Sequence, residues 1–327
     1  MSDTTTTPTT TPTTTPTTTP MTKEWLDKAF EQAKNWGRWG DADEAGALNF
    51  ITKAKRLLAA RLVTEGLNVS CALAFPTVPG PDNPHPALHH MVQAGDSCTG
   101  GPMGGLEASM DFIGIAFHGM ATSHIDALCH VFVNQTMYNG RPASEVKSTG
   151  AQSNAITVAR DGIVSRGVLL DIPRLRGVEW LELGHNIGPD ELDAAEREQG
   201  VVVGEGDILL VATGRDARRA KYGPWDPMDG MAGLGPTCVP WLHERRIAVL
   251  GSDGISDAIP SATVKEWPVP IHQCCLVAMG VHLLDNLKLS DLAATCAAQN
   301  RWEFLFSVAP LIVEGGTGCP VNPLAVF

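Results

Sequence analysis

The chain has 327 residues, a formal net charge of −12, 43% hydrophobic residues and 18% charged residues. The apolar fraction excludes a wholly disordered chain, and the length allows two domains or one large one. The acidic balance argues against nucleic acid or an anionic membrane surface as partner, because both repel a negative field.

Residues 4–20 contain only Thr and Pro. They offer nothing large and apolar to bury, and Pro at every fourth position blocks a regular helix. Residues 1–20 therefore read as a disordered tail of polyproline-II character. The tail has neither the basic start nor the apolar run of a secretory signal. Its only charged residue is Asp3, so the acidity belongs to the body, 21–327.

The body opens with an amphipathic pattern at 22–36, where Trp25, Leu26, Ala29, Phe30 and Ala33 share one helical face. A loop at 41–50 and a helix near 53–62 follow, then a strand at 67–74. Residues 76–110 hold six prolines and six glycines and read as a long irregular segment over the surface or over a site. His85, His89 and His90 within it read as surface or lid residues, and Gly100 to Gly105 as a flexible loop. A strand at 112–117 runs toward a histidine-rich motif. Short buried strands are expected at 168–171, 208–212, 247–250 and 304–311, with helices at 189–199 and at 291–300, the latter N-capped by Ser290. The stretch 274–281 is mostly apolar. Helices are too few for a repeated βαβ array, so the fold class is α/β (mixed α+β) with a largely antiparallel or mixed sheet. No C-x-x-C pair and no apolar run of 18 residues is present. The eight cysteines read as reduced, partly buried thiols of a cytoplasmic protein without a membrane span.

The run His118-Gly-Met-Ala-Thr-Ser-His124-Ile-Asp126-Ala-Leu-Cys-His130 carries three histidines and a carboxylate in thirteen residues. In a strand, His124 and Asp126 point the same way, about 6.6 Å apart along the chain. If the chain turns helical after Asp126, His130 shares its face. Imidazole with carboxylate suits Zn²⁺ or Mn²⁺. His118 joins the same ion only if the backbone bends, which Gly119 allows.

These residues resemble the metal-dependent cyclase family, which includes kynurenine formamidase and isatin hydrolase and carries H-x-G-T-H-x-D-x-x-x-H. Further matches are Trp36-Gly-Arg-Trp39-Gly, Gly46-Ala-Leu-Asn49, Met137-Tyr-Asn-Gly140, Gly206-Asp207 with Thr213-Gly214, Gly251-Ser-Asp253-Gly-Ile-Ser256, His272, Asp285-Asn286-Leu287 and Gly318-Cys-Pro-Val-Asn-Pro. Together they span about 36–327. Where the family's short members place their first histidine, this chain has Met120, so either His118 substitutes through a local bulge or that ligand is lost. Asp285 stands where the family has Glu.

The resemblance implies one domain, 21–327, of the swivelling β/β/α fold, because the early and late motifs would build one site. It implies a divalent metal ion, Zn or Mn, held by His118, His124, Asp126 and His272. It implies His130 as general base and then acid, and Asp285 as a metal ligand or the group that holds the proton relay. The activity implied is hydrolysis of an amide-type C–N bond, in a cyclic amide or an N-acyl arylamine, by metal-activated water on a small-molecule substrate. A lyase or cyclising dehydratase on the same site, or a non-catalytic ligand-binding relative, are the alternatives. His272 as a hydrogen-bonded loop histidine and Asp285 as a helix-start cap are the plainer readings of those two residues. A homodimer or higher homo-oligomer is expected.

Overall fold

The computed structural model describes residues 21–97 and 105–327. The Thr/Pro tail, Cys98 and Gly100 to Gly104 of the glycine cluster lie outside the described residues.

Nine strands form one mixed sheet. In chain order they are β1 (Asn68–Ser70), β2 (His124–Asp126), β3 (Ile163–Asp171), β4 (Ile208–Ala212), β5 (Val249–Ser252), β6 (His282–Asp285), β7 (Glu303–Val308), β8 (Gly318–Pro320) and β9 (Leu324–Val326). Their order across the sheet is β1-β9-β7-β3-β4-β5-β6-β2-β8. The middle run β3-β4-β5-β6 is parallel. Its sequences, VLLD, ILLVA and VLGS, are continuous apolar runs because helices and loops cover both faces. The strands on either side of that run pair antiparallel. The mixed sheet and single domain agree with the expected fold class.

The α-helices of five or more residues, in chain order, are α1 (Lys23–Gln32), α2 (Lys53–Ala60), α3 (Ile172–Arg176), α4 (Pro189–Gln199), α5 (Arg215–Tyr222), α6 (Cys238–Arg245) and α7 (Ser290–Gln299). Thr22 and Thr52 cap α1 and α2 by accepting from the N–H groups of Trp25 and Lys55. α1 stops short of residue 36 because the chain turns to serve other carbonyls. The Asn35 N–H meets Ala278 O, and Trp36 Nε1 donates to Val277 O at 2.7 Å. Those carbonyls belong to a fully buried π-helix, Gln273–Met279, formed by the apolar 274–281 stretch. Val277 and Ala278 lie in its last turn, where carbonyls have no partner within the helix and accept such outside donors.

Four expectations need correction. Residues 76–110 are not wholly irregular: Leu88–Gln93 pairs with Met110–Gly114 as a separate two-stranded ribbon. The strand expected at 112–117 therefore ends at Gly114 and belongs to that ribbon, not to the sheet that carries the histidine motif. The chain after Asp126 makes a tight turn, with the His130 N–H bonded to Ala127 O, and no helix. Ser290 begins α7 but does not cap it; its hydroxyl donates to Asp216 Oδ2. His85, His89 and His90 are exposed, as a surface reading requires. The seven described cysteines are free and buried. Among the described residues no helix is long and apolar enough to cross a membrane.

Candidate metal centre

The site forms where the parallel run meets the antiparallel end of the sheet. β2 lies between β6 and β8, with His124 opposite Asp285 and Pro320, and Asp126 opposite Gly318. Directly opposed residues of an antiparallel pair face the same way, so His124, Asp126 and Asp285 share one face. Asp285 is thus a strand residue and not a helix cap.

The chain bends through 118–122 and brings His118 back over β2. Its Nδ1 lies 3.0 Å from Asp126 Oδ1, while its Nε2 meets Thr317 Oγ1 at 3.0 Å. The bend expected at Gly119 is present, and His118, not Met120, reaches the cluster. Gly318 makes this approach possible, since a Cβ there would stand 2.8 Å from His118 Cε1 and 2.5 Å from Ile125 O.

Two other imidazoles repeat the pattern. His124 Nδ1–H donates to Thr122 O at 2.8 Å, which turns Nε2 toward Asp126 Oδ1 at 3.4 Å. His272 Nδ1–H donates to Asp257 Oδ2 at 2.6 Å, leaving Nε2 3.2 Å from Asp285 Oδ2 and 3.6 Å from Asp126 Oδ2. Asp257 also accepts the backbone N–H groups of Ile271 and His272. Each ring is anchored through one nitrogen and presents the other to a common carboxylate, the arrangement by which outer partners fix the tautomer of metal-binding histidines. His272 ends the short helical turn Pro270–His272, its ring hydrogen-bonded to Asp257 and facing Asp285 and Asp126. His130 completes the group, its ring flat against His118 with centroids 3.8 Å apart. It lies on the more exposed side with His118, while His124, Asp126, Asp285 and His272 are buried.

Asp126 is the centre of the arrangement. Both of its carboxylate oxygens are buried and make no hydrogen bond, as do His118 Nδ1 and Asp285 Oδ1. A buried carboxylate left so is costly unless a cation faces it. Burial alone would raise its pKa, but His118 and His124 hold it well below the carboxylate range. Burial works against charge on His124 as well, yet Asp126, Asp285 and the Thr122 carbonyl outweigh it and raise that pKa to about 9. His272 is likewise held well above the ordinary value: Asp285 and Asp257 outweigh burial. His130 goes the other way, to about 4, because burial and the neighbouring histidines overcome the pull of Asp126. The negative field of the pocket thus collects positive charge at its centre. His118, Asp126 and His130 form one set of donor atoms close enough for a single ion, and His124, Asp126 and Asp285 form another; Asp126 belongs to both. Nitrogen and carboxylate donors in this mixture fit a divalent cation.

Asp257, Thr317 and Gly318 were not singled out for these roles by the sequence. Asp257 directly follows the Gly251–Ser256 turn, and Gly318 opens the last motif, but neither spacing says which ring it meets. Asp253, inside that turn, has a different task. Its carboxylate accepts from the N–H groups of Thr213, Gly214 and Arg215 and so ties β5 to the start of α5.

Residues 58–257 match the family model described as "Putative cyclase". The chain belongs to this cyclase family. The crystal structure of a novel cyclase superposes with a TM-score of 0.81 at 31% identity, covering 91% of this chain and 99% of that one. An isatin hydrolase bound to the product analogue thioisatinate gives 0.57 at 20% identity, over 83% and 94% of the two chains. Isatin hydrolase A from Ralstonia solanacearum gives 0.56 at 21%, over 84% and 98%. At those lower identities the isatin hydrolases establish the shared fold. No protein of curated function matches the chain in sequence.

Proposed function

We propose that this cyclase-family protein is a metal-dependent hydrolase that opens a cyclic amide or cleaves an N-acyl arylamine. The observation that carries the reading is the convergence of three anchored imidazoles on a buried Asp126 carboxylate that makes no hydrogen bond. His118, His124, Asp126 and His272 would hold the ion, Zn or Mn. When bound, such an ion supplies Lewis acidity toward both a carbonyl oxygen and water. The remaining chemistry falls to the side chains. His130, on the more exposed side, is placed to take a proton from water and return it to the departing nitrogen. Asp285, against His272 Nε2, either joins the ligands or steadies the relay. Phe117, whose ring lies 4.5 Å from that of His118 and 6.0 Å from that of His124, offers an apolar wall for a flat ring substrate. Isatin hydrolases among the structural relatives support the choice of a cyclic amide as probe.

The test combines metal analysis with product mass. The purified protein should carry close to stoichiometric Zn or Mn, and His124→Ala should lose most of it. Isatin should yield a single product heavier by one water, and an N-formyl arylamine should yield its free amine and formate, whose masses together exceed the substrate's by one water. Substoichiometric metal with no activation by either ion would overturn the reading. Loss of one water would move the assignment to a dehydratase, and binding without turnover that survives chelation to a non-catalytic relative.

A further inference from the structure

The bend that carries His118 to Asp126 is held from outside its own sequence. Gly119, Met120 and Thr122 each present a carbonyl to a buried side chain. Asn286 Nδ2 donates to Gly119 O at 2.7 Å and to Thr122 O at 3.2 Å. Arg215 Nη2 donates to Met120 O. The two clamping side chains are joined, since Arg215 Nη1 donates to Asn286 Oδ1 at 2.7 Å and also reaches Asp253 O at 3.2 Å. Each is rooted at the end of an element. Asn286 follows β6 at a φ of 54°, a backbone region that Asn tolerates better than most residues. Arg215 opens α5, where Asp253 holds its N–H.

Arg215 is 7% exposed and Asn286 0%. Burying a guanidinium costs several kcal/mol unless its hydrogen bonds are made. Here Nη2 donates to Met120 O of the loop and Nη1 to Asn286 Oδ1 and Asp253 O, while Asp82 Oδ2 lies 3.9 Å from Nη2, so the group fixes a backbone shape. The loop needs that support. Its histidine stands six residues before His124, where the family pattern has four, and the extra chain must be folded into the bend. Thr122 O also accepts from His124 Nδ1, so the clamp touches the carbonyl that orients the second imidazole.

We propose that Arg215 and Asn286 are positioning residues that set His118 for metal binding. The inference rests on the metal-centre reading above. Arg215 is no ligand itself; it acts through His118.

A double-mutant cycle on metal affinity tests this. Co²⁺ is titrated into metal-free protein and followed by visible absorption, with folding of each variant checked by thermal unfolding. Arg215→Met should weaken Co²⁺ binding about 10- to 100-fold and alter the band shape. In a His118→Ala background the same change should add less than about twofold, because the ligand it positions is gone. If Arg215→Met does not fold, Arg215→Gln, which keeps a polar group but cannot span to Met120 O and Asn286 Oδ1 together, enters the same cycle with most of its effect lost in that background. An equal loss in both backgrounds, or no loss in a folded variant, would overturn the clamp and leave the metal centre standing. Failure of the unaltered protein to take up Co²⁺ would instead overturn the metal-centre reading.

Discussion

Gly318 decides whether His118 can reach the cluster. The residue lies on β8 directly opposite Asp126, and the His118 ring packs where its side chain would be. A methyl group there meets a backbone oxygen at 2.5 Å on one side and the ring at 2.8 Å on the other. The backbone of paired strands yields little, so the ring must move. Gly318→Ala is therefore expected to weaken metal binding by about tenfold or more, the size of effect seen when the support of a ligand is lost. Calorimetric titration with Zn²⁺ or Mn²⁺ checks this, and an unchanged affinity would show that His118 is not a ligand. At this scale the sequence was legible only where the chemistry is local. His124 and Asp126 could be paired from strand spacing alone, and His118 by supposing one bend. Asp257, Thr317 and Gly318 could not be assigned to their rings, because each meets its partner across a fold and nothing in spacing reports that.

At the scale of the element, α4 shows how local punctuation makes a helix legible. Pro189 begins it, Gly200 ends it in the left-handed conformation, and its bounds were readable as 189–199. The π-helix and β6 lacked such signals: both are buried along their whole length, so period could not tell strand from helix. The start of α4 also carries a pH prediction. Glu191 accepts from the Gly188 N–H at 3.1 Å and from Arg176 Nη1, and lies 3.2 Å from His185 Nε2. Burial alone would raise its pKa, but His185, the Gly188 N–H and Arg176 outweigh burial and bring it to about 2. A carboxylate held lower in the folded than in the unfolded state adds stability above its unfolded pKa. That stability is lost as pH falls through the folded value. Glu191→Gln should cost about 1–2 kcal/mol at pH 7, a figure reduced for the part of the side chain open to water. The gap to the unaltered protein should close between about pH 4.5 and 2 in urea unfolding. A gap that is constant with pH would mean that the side chain acts by packing and not by charge.

At the scale of the whole molecule, the site argues for one cooperative body. The matched family segment ends at residue 257, yet His272 and Asp285 face the same carboxylate as His118 and His124. The proposed ion on His118, His124, Asp126 and His272 would join β2, the loop before it and the turn that leads into the π-helix, segments far apart in sequence. A ligand that binds only the folded state stabilises it by RT ln(1 + [L]/Kd), about 4 kcal/mol at a thousandfold excess over Kd. Removing the ion with EDTA should therefore lower the Tm of the unaltered protein by several degrees, and adding Zn²⁺ or Mn²⁺ back should restore it. His272→Ala separates a shared site from an early-half site. If the late half supplies a ligand, the variant should unfold near the Tm of the chelated protein and respond little to EDTA. A full response to EDTA in that variant would place the ion on His118, His124 and Asp126 alone, and His272 would then serve the site only through its contacts with Asp126 and Asp285. The reading of one body held partly by its cation fails if chelation leaves the Tm of the unaltered protein where it was, since an ion that binds the folded state selectively cannot leave without lowering it.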